Sequence, residues 1–380
     1  MNQHTIGRRV AIAIIIGMLL LTMAGKRTAR ATTVSIQTIH CGGWSIVPSP
    51  NATSFMNQLN AVAAISPTDV WAIGIGVAPN SPTVALIEHW DGTKWSLVSS
   101  PDAGAFLFGV TAVSATNVWA VGVDPTGTVI EHWDGISWQL VKSPSVDGIF
   151  LGVSAQSATD IWAVGELFNG DLLTEHWDGS TWQVVPAPGV PNKSSKFNSV
   201  SVLSPTDAWA VGSYIGHGSH AESYSLSEHW DGTAWHIVPT PNVGKFSPLN
   251  AVVALSSSNV WAVGNVIDST LDEHWDGQQW HVVSPSLNGQ NHSVAAVSAT
   301  DIWAVGAALV HFKDQTFTEQ WNGSQWQHVR SPNVTANTLS SSYDNLLLGV
   351  SASSAHNIWA VGYYAPEYGS TTYTLIEHYC

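Results

Sequence analysis

Basic residues and cysteines are the scarcest features of this 380-residue chain. It has 12 Lys and Arg against 27 Asp and Glu, a net charge of −15 with histidine neutral. An acidic surface repels phosphate backbones, so we do not expect a nucleic-acid partner. The two cysteines, Cys41 and Cys380, do not form a cluster with metal-ligand spacing. The chain also lacks a nucleophile elbow, a phosphate-binding loop and an HExxH helix, so no catalytic motif is recognisable and we expect no cofactor.

Long hydrophobic runs are lacking too, except near the N-terminus. Residues 10–25 form an apolar run behind Arg8 and Arg9, and residues 29–31 (Ala-Arg-Ala) resemble a cleavage site. This pattern predicts a signal peptide over residues 1–31 and a secreted, extracellular protein. An association with the cell surface is also compatible with it. An uncleaved membrane anchor is the alternative, although the run is shorter than the roughly 20 residues that span a bilayer. Without residues 1–31 the net charge becomes −20.

Tryptophan is abundant, and all 20 tryptophans follow one internal repeat. The first half, Trp-Ala-Val/Ile-Gly, occurs seven times at spacings of 42 to 56 residues, beginning at Trp71, Trp119, Trp162, Trp209, Trp261, Trp303 and Trp359. The second half, Glu-His-Trp-Asp-Gly-x-x-Trp or a close variant, occurs six times and ends at Trp95, Trp138, Trp182, Trp235, Trp280 and Trp326. A seventh such end, Trp44, stands alone near the N-terminus. No tryptophan is therefore left over as a free binding-site aromatic.

Each repeat predicts four short antiparallel strands. In the first copy these are residues 59–65, 70–75, 85–90 and 95–98, and the Asp91-Gly92 turn is a strong hairpin signal. Four-stranded repeats of about 40 to 50 residues are typical of β-propeller blades. We therefore predict an all-β, seven-bladed propeller that forms a single domain over residues 32–380. Its repeats are 57–101, 105–145, 149–189, 197–242, 247–287, 291–333, and 344–380 plus 41–51.

The last repeat ends before its fourth strand, and the N-terminus supplies that strand around Trp44. This arrangement predicts ring closure with three strands from one end of the chain and one from the other. Cys380 occupies the Asp position of the Asp-Gly turn and Cys41 its Gly position. We therefore predict a Cys41–Cys380 disulfide, which suits an exported protein and would stabilise it by roughly 4–5 kcal/mol.

The repeat, with its Trp-Ala-Val-Gly strand, polar hairpin and trailing Ser-Pro, resembles the kelch-like and Asp-box (BNR)-like propeller repeats of secreted bacterial proteins. The resemblance covers residues 41–380. The repeat departs from kelch in lacking paired glycines after the first strand, and from the Asp-box because Asp and Gly are adjacent. The resemblance implies the fold but no functional residues, since both families include enzymes and binding modules.

The connections between strands fall into two classes. The first-to-second turn (Ser-Pro-Thr-Asp and close variants) and the third-to-fourth Asp-Gly turn are nearly constant. They lie at the same end of each blade, here called the constant face, because antiparallel strands alternate in direction. The other connections share the opposite, variable face, and varied loops on a rigid scaffold are where binding usually occurs. The longest are 213–225, 307–316, 335–344 and 363–373.

Tyrosines are the first ligand-binding candidates on the variable face. They suit stacking on sugar rings or packing against a protein, and the alternative is that they only cover the blade edge. The candidates are Tyr343, Tyr363, Tyr364, Tyr368 and Tyr373, with Glu367 nearby.

Histidines in the variable loops suggest a metal site, but only weakly. His217 and His220 with Glu222 offer imidazole and carboxylate ligands for zinc. No fourth ligand is evident, and His311 with Asp314 is weaker still, so we predict no metal.

The recurring Glu-His pair invites an acid/base role. It occurs in six blades, with Glu319-Gln320 in the remaining one, whereas a catalytic site is usually unique. We interpret the Glu as a buried acceptor for backbone or indole N–H groups of a neighbouring blade. The Asp or Asn two residues before each Trp-Ala-Val-Gly is interpreted as a turn cap.

The sequence thus predicts a secreted, non-catalytic, monomeric propeller that binds an extracellular glycan or protein through its variable face. The alternative is a carbohydrate-active hydrolase or lyase with its site at the central mouth. Its candidate carboxylates are Asp124, Glu166, Asp171 and Asp268. A component of a surface assembly is a third possibility.

Overall fold

The computed structural model describes residues 41–79, 83–102, 104–144, 147–216, 222–241, 243–267, 269–283, 288–335, 344–366 and 371–380. Over these ranges the chain contains 28 strands and no helices. Consequently, no apolar helix of membrane-spanning length occurs in the described part. Tyr343, Glu367, Tyr368, His217, His220, Asp268 and the predicted signal peptide lie outside the described residues.

Seven sheets of four antiparallel strands form the blades, which confirms the predicted all-β, seven-bladed propeller. β1 (Trp44–Ile46) precedes blade 1. The other strands are, in blade 1, β2 (Met56–Ser66), β3 (Asp69–Val77), β4 (Val84–Trp90) and β5 (Trp95–Leu97); in blade 2, β6 (Phe106–Ser114), β7 (Asn117–Asp124), β8 (Gly127–Trp133) and β9 (Trp138–Leu140); in blade 3, β10 (Gly148–Ser157), β11 (Asp160–Leu167), β12 (Leu172–Trp177) and β13 (Trp182–Val184); in blade 4, β14 (Ser195–Ser204), β15 (Asp207–Ile215), β16 (Ser223–Trp230) and β17 (Trp235–Ile237); in blade 5, β18 (Leu249–Ser256), β19 (Asn259–Val266), β20 (Ser269–Trp275) and β21 (Trp280–Val282); in blade 6, β22 (Gln290–Ser298), β23 (Asp301–Val310), β24 (Lys313–Trp321) and β25 (Trp326–His328); and in blade 7, β26 (Asp344–Ser354), β27 (Asn357–Ala365) and β28 (Tyr373–Tyr379).

The ring closes through the two ends of the chain, as predicted. β1 pairs with β28, with Trp44 opposite Tyr379, and completes blade 7 as its fourth strand. Cys41 and Cys380 form a disulfide with their Cα atoms 4.7 Å apart. The N–H of Gly42 donates to the carbonyl of Cys380 at 2.6 Å. Residues 339 positions apart in the chain therefore share one hairpin on the constant face.

Two backbone features recur in every blade and explain part of the repeat. The first strand carries a bulge, which in blade 1 falls between Leu59 and Ala61. The glycine of Trp-Ala-Ile-Gly lies directly against this strand, because a Cβ at Gly74 would be 1.9 Å from the carbonyl oxygen of Gln58. Only glycine allows this approach of the two backbones.

The core lies between neighbouring blades and is built from tryptophans. Trp71 of blade 1 is buried against Trp133 and Trp138 of blade 2, at centroid distances of 4.8 and 5.3 Å. The last contacts of the ring follow the same plan, since Trp303 packs on Trp44 at 5.5 Å. Each blade thus buries its apolar face only against the next, which is why the ring must close.

Candidate functional site

The constant face is held by one hydrogen bond that recurs in all seven blades. The Nε2–H of the His or Gln after the repeat glutamate donates to Oδ1 of the Asp or Asn two residues before the blade tryptophan, over 2.7 to 3.0 Å. The pairs are His89–Asp69, His132–Asn117, His176–Asp160, His229–Asp207, His274–Asn259, Gln320–Asp301 and His378–Asn357. The turn-cap interpretation was therefore incomplete: this residue ties the first turn to the third strand. Burial lowers the pKa of His378 to about 4, so its imidazole is neutral.

The seven repeat glutamates form a second ring, inside the blades, and each is 0% exposed. Three of them accept hydrogen bonds from the preceding blade-to-blade connection, one from a backbone N–H as predicted and two from serine hydroxyls. The donors are the Ser100 hydroxyl to Glu131 (2.6 Å), the Ser143 hydroxyl to Glu175 (3.0 Å) and the Gly189 N–H to Glu228 (2.9 Å). No indole N–H of the described residues donates to them. Some blade indoles donate to turn atoms instead, as Trp119 does to Asn117 Oδ1, and others, Trp71 among them, have no hydrogen-bond partner.

Burial raises the pKa of every repeat glutamate because no charged partner compensates desolvation. The pKa of Glu88 and of Glu273 rises to about 8, and that of Glu131, Glu175 and Glu228 to about 7. The pKa of Glu319 and of Glu377 is also raised. These carboxyl groups are inaccessible to a substrate and are equivalent in every blade, which is the pattern of scaffold groups.

The remaining connections meet on the opposite face, as the alternation of strands requires. Each second-to-third hairpin contacts a neighbouring blade-to-blade connection. In blade 1 the Thr83 hydroxyl donates to the carbonyl of Gly104 at 3.1 Å. In blade 4 Ser223 forms a parallel bridge with Phe246, and in blade 5 Ser269 forms an antiparallel bridge with Asn288. The variable face is therefore a continuous surface of hairpins and connections.

Exposed apolar side chains concentrate on one sector of the variable face. They come from the hairpin tips of blades 4, 5 and 6 and from the connection between blades 4 and 5. The most exposed are Phe312 at 94%, Ile267 at 64% and Leu309 at 63%. We call this set the apolar arc; its members are Ile215, Val243, Phe246, Ile267, Leu309, Val310 and Phe312.

Contacts between neighbouring hairpins and connections link the segments that carry the apolar arc. Ile215 pairs across its hairpin with Ser223, which bridges to Phe246. A Cβ at Gly244 would lie 3.2 Å from Val266, so this connection also lies against the hairpin of blade 5. The Gln290 side chain then donates to the carbonyl of Ile267 at 3.4 Å and leads into blade 6.

The other exposed large apolar residues of the described chain do not form such a sector. Ile136, 85% exposed, lies in a turn of the constant face. The rest occupy the same outer-strand position in five blades and belong to the rim; they are Leu97, Leu140, Val184, Ile237 and Val282. The apolar arc is therefore an irregular feature of a regular scaffold.

The tips of the apolar arc carry unfavourable backbone conformations. Ile267, His311 and Phe312 have φ values of 54°, 50° and 63°. For branched and bulky residues this left-handed region costs about 1–2 kcal/mol each. Such strain is found preferentially at binding and catalytic sites, so these tips are candidates for function.

Among the tyrosine candidates, the structure brings two together in blade 7, whereas Tyr363 precedes Tyr364 on β27 and lies on the other face of the sheet. Tyr364 and Tyr373 are opposite each other on β27 and β28, and their rings stack at 5.2 Å. Tyr363 is the neighbouring residue and is half-buried. Blade 4 has an equivalent pair at the same register, Tyr214 and Tyr224 at 5.4 Å, which the sequence reasoning missed. A Tyr five residues after the blade tryptophan is the signal that marks both pairs.

Of the weak metal candidates, Glu222, His311 and Asp314 are among the described residues. Glu222 accepts a hydrogen bond from the Tyr224 hydroxyl at 2.5 Å and pairs with Lys245 at 2.7 Å. No group of three or more His, Cys, Asp or Glu that could hold a metal occurs in the described ranges. His311 is exposed at its hairpin tip, and Lys313 pairs with Asp344 at 3.5 Å.

The described carboxylates of the enzyme alternative lie on two neighbouring blades. Asp124 accepts hydrogen bonds from Thr126 and from the Gly127 N–H inside its own hairpin. Asp171 accepts one from Asn169 at 2.7 Å in the hairpin of blade 3. Glu166 lies in β11 opposite Leu172. Asp124 and Asp171 thus stabilise their own hairpins through these hydrogen bonds.

A cavity of about 290 Å³ opens beside the apolar arc on blade 6. It is lined by Asn288, Gly289, Gln290, Ala307, Leu309 and Asp314. Leu309 therefore belongs to both the cavity and the apolar arc. The cavity combines an apolar wall with two amides and one carboxylate, which is a common composition of ligand sites.

Neither a protein-family model nor a curated protein matches the chain. Among solved structures it is similar to YCF48 bound to a D1 peptide, with 16% identity, a TM-score of 0.56, and 91% of this chain and 100% of that one covered. It is also similar to a catalytically inactive virginiamycin B lyase from Staphylococcus aureus with quinupristin, with 13% identity, a TM-score of 0.58, and 89% of this chain and 99% of that one covered. A third is U3-55K, with 9% identity, a TM-score of 0.57, and 89% of this chain and 98% of that one covered. At these identities the likenesses show a common fold, so the kelch-like or Asp-box-like type of the repeat stays a prediction.

Proposed function

We propose that this protein is a non-catalytic, extracellular binding propeller whose ligand is a protein that covers the apolar arc. The single observation that carries the proposal is the exposure of large apolar side chains on the neighbouring hairpins of blades 4 to 6. Exposed large apolar side chains that are concentrated on one part of a surface are typical of interaction sites. The strained conformations of Ile267 and Phe312 add support, because they present these side chains at a cost in stability.

A protein ligand is favoured over a glycan by the chemistry of the apolar arc. Its members are aliphatic residues and phenylalanines, and such side chains form the buried centre of protein interfaces. Polysaccharides expose hydroxyl groups, which these side chains cannot pair.

An extracellular location is part of the proposal. The Cys41–Cys380 disulfide supports it, because disulfides persist in oxidising compartments. The predicted signal peptide over residues 1–31 supports it independently. Mass spectrometry of the mature protein tests it: the proposal expects a chain that begins near residue 32, outside the cytoplasm.

The binding role is tested with two substitutions of almost equally exposed side chains. Phe312→Ser changes the apolar arc, and Ile136→Ser changes the constant face. Cross-linking of the native protein in the extracellular fluid of its source, followed by gel filtration of the pair, should give a complex that Phe312→Ser weakens at least tenfold and Ile136→Ser leaves unchanged. Equal binding by both variants would contradict the proposal.

A glycan is the second candidate, and the stacked tyrosine pairs of blades 4 and 7 favour it. Tyrosine rings suit stacking on sugar rings. A polysaccharide panel probed with the native protein, Tyr364→Ala and Tyr373→Ala separates the candidates. Binding that both substitutions reduce would favour the glycan; absence of binding by the native protein would remove it.

A further inference from the structure

The cavity of blade 6 is lined by residues of three neighbouring strands, β22, β23 and β24. Gln290 is opposite Ala307 in the β22–β23 pair, and Leu309 is opposite Asp314 in the β23–β24 hairpin. Ala307 and Leu309 are two residues apart on β23 and therefore lie on the same face of the sheet. An aliphatic wall thus ends at a carboxylate, a preformed arrangement on strands instead of mobile loops.

Asp314 is the charged residue of this cavity, and its carboxylate makes no hydrogen bond or ion pair with any described residue. The neighbouring Lys313 pairs with Asp344. Burial raises the pKa of Asp314 and the charge of Asp344 raises it further, whereas His292 and Lys313 lower it. A half-buried carboxylate without a partner is costly. A cation from another molecule would remove that cost.

We propose that the cavity receives an arginine or lysine side chain of the protein segment that covers the apolar arc. The methylene stem packs on Ala307 and Leu309, and the cationic end pairs with Asp314, in the way that long basic side chains combine an apolar stem with a charged tip. The amide oxygens of Asn288 and Gln290 are further acceptors for its N–H groups.

Two observations select a basic partner segment. The chain is acidic, with a net charge of −15, so a basic segment is attracted from a distance. Leu309 belongs to both the cavity and the apolar arc, so one segment with an apolar residue beside a basic one can fill both. This inference rests on the proposed function and specifies its partner.

Selection from a random peptide display library on the immobilised full chain tests the inference. Native protein, Asp314→Asn, Phe312→Gly and the control Asp171→Asn are used; Asp171 is an exposed carboxylate of the hairpin in blade 3. We expect native protein and Asp171→Asn to enrich peptides with Arg or Lys beside an aliphatic or aromatic residue. Asp314→Asn should retain the apolar preference and lose the basic one.

One enriched peptide is then used to measure the coupling energy between its basic residue and Asp314 in a double-mutant cycle. Its Kd should weaken about tenfold when its basic residue becomes Gln and about tenfold with Asp314→Asn, the expected size for a charged hydrogen bond. The two changes together should weaken binding no more than either alone. Thermal unfolding of Asp314→Asn confirms that the variant is folded.

The outcomes separate the two proposals. Enriched peptides without basic residues, or identical Kd values for Asp314→Asn and Asp171→Asn, overturn the inference and leave the protein-binding function standing. If native protein enriches no peptide beyond the level of Phe312→Gly, the proposed function and this inference both fail.

Discussion

The constant and variable faces are built from the same seven sheets but follow opposite rules. On the constant face one side-chain hydrogen bond to an Asp or Asn recurs in each blade, from His89–Asp69 to His378–Asn357. On the variable face the hairpins of blades 4, 5 and 6 end differently, at Ile215, Ile267 and Phe312. Side chains that recur in every blade stabilise the ring. Residues that occur in one blade only, with a strained backbone, are candidates for contact with another molecule.

The comparison also separates two kinds of acidic residue. The repeat glutamates are buried, and their pKa values are raised, while the aspartates of the Asp-Gly turns are exposed, and hydrogen bonds lower their pKa values. Both kinds are scaffold. Asp314 differs from both, because its carboxylate is half-buried without a partner among the described residues.

The largest effect is expected at the constant face, where the disulfide joins the chain ends. The double substitution Cys41→Ser and Cys380→Ser should lower the free energy of unfolding by about 5 kcal/mol, because the unfolded chain regains the entropy of a very long loop. Chemical denaturation measures the loss. Reductant should bring the native protein to the same value and leave the double variant unchanged. A loss below 1 kcal/mol would show that the strand pairing alone closes the ring.

A smaller effect is expected from the buried glutamates. A carboxyl group with a raised pKa in the folded state stabilises the protein fully below its unfolded pKa of about 4.5 and loses this contribution as pH rises through the folded value. For Glu175, with a folded pKa of about 7, the window is pH 4.5 to 7. Glu175→Gln should match native stability at pH 5 and exceed it by about 1–3 kcal/mol at pH 8.

The matched control for that experiment is Asp178→Asn in the turn of the same blade. Hydrogen bonds from Ser180 and Thr181 lower the pKa of Asp178 to about 2, and the group is exposed. The contribution of Asp178 to the free energy of unfolding is therefore present above pH 3.8 and is lost only in stronger acid. Thermal unfolding at pH 5 and pH 8 measures the stability of Glu175→Gln and Asp178→Asn against the native protein. A native protein that is more stable at pH 8 than at pH 5 would contradict the buried, protonated state of the glutamates.

The smallest effect on stability is expected in the apolar arc. Phe312 has a φ of 63° and contributes no buried surface, so Phe312→Gly removes strain and loses little packing. The free energy of unfolding should stay equal or rise by up to about 1 kcal/mol, while binding is lost. Denaturation and binding on the same sample show whether the two properties separate. Destabilisation by more than 1 kcal/mol would make Phe312 part of the scaffold.

The features predictable from the sequence are those that recur. The tryptophan period predicts seven blades, and the placement of Cys41 and Cys380 in one turn predicts the closing disulfide. The side-chain hydrogen bond of the turn Asp or Asn was not predicted, because its partner on the third strand is 15 to 22 residues away in the chain. The apolar arc was missed because Ile267 and Phe312 resemble strand residues in the sequence, and only their hairpin geometry exposes them.

Hydrogen exchange of the native protein with a bound peptide from the display selection tests the central claim most directly, because it reports every face at once. We predict slower exchange in the described segments around residues 215, 243–246, 267 and 309–314, with unchanged exchange in the Asp-Gly turns. Protection confined to those turns, or to the tyrosine pair of blade 7, would contradict the assignment of binding to the apolar arc.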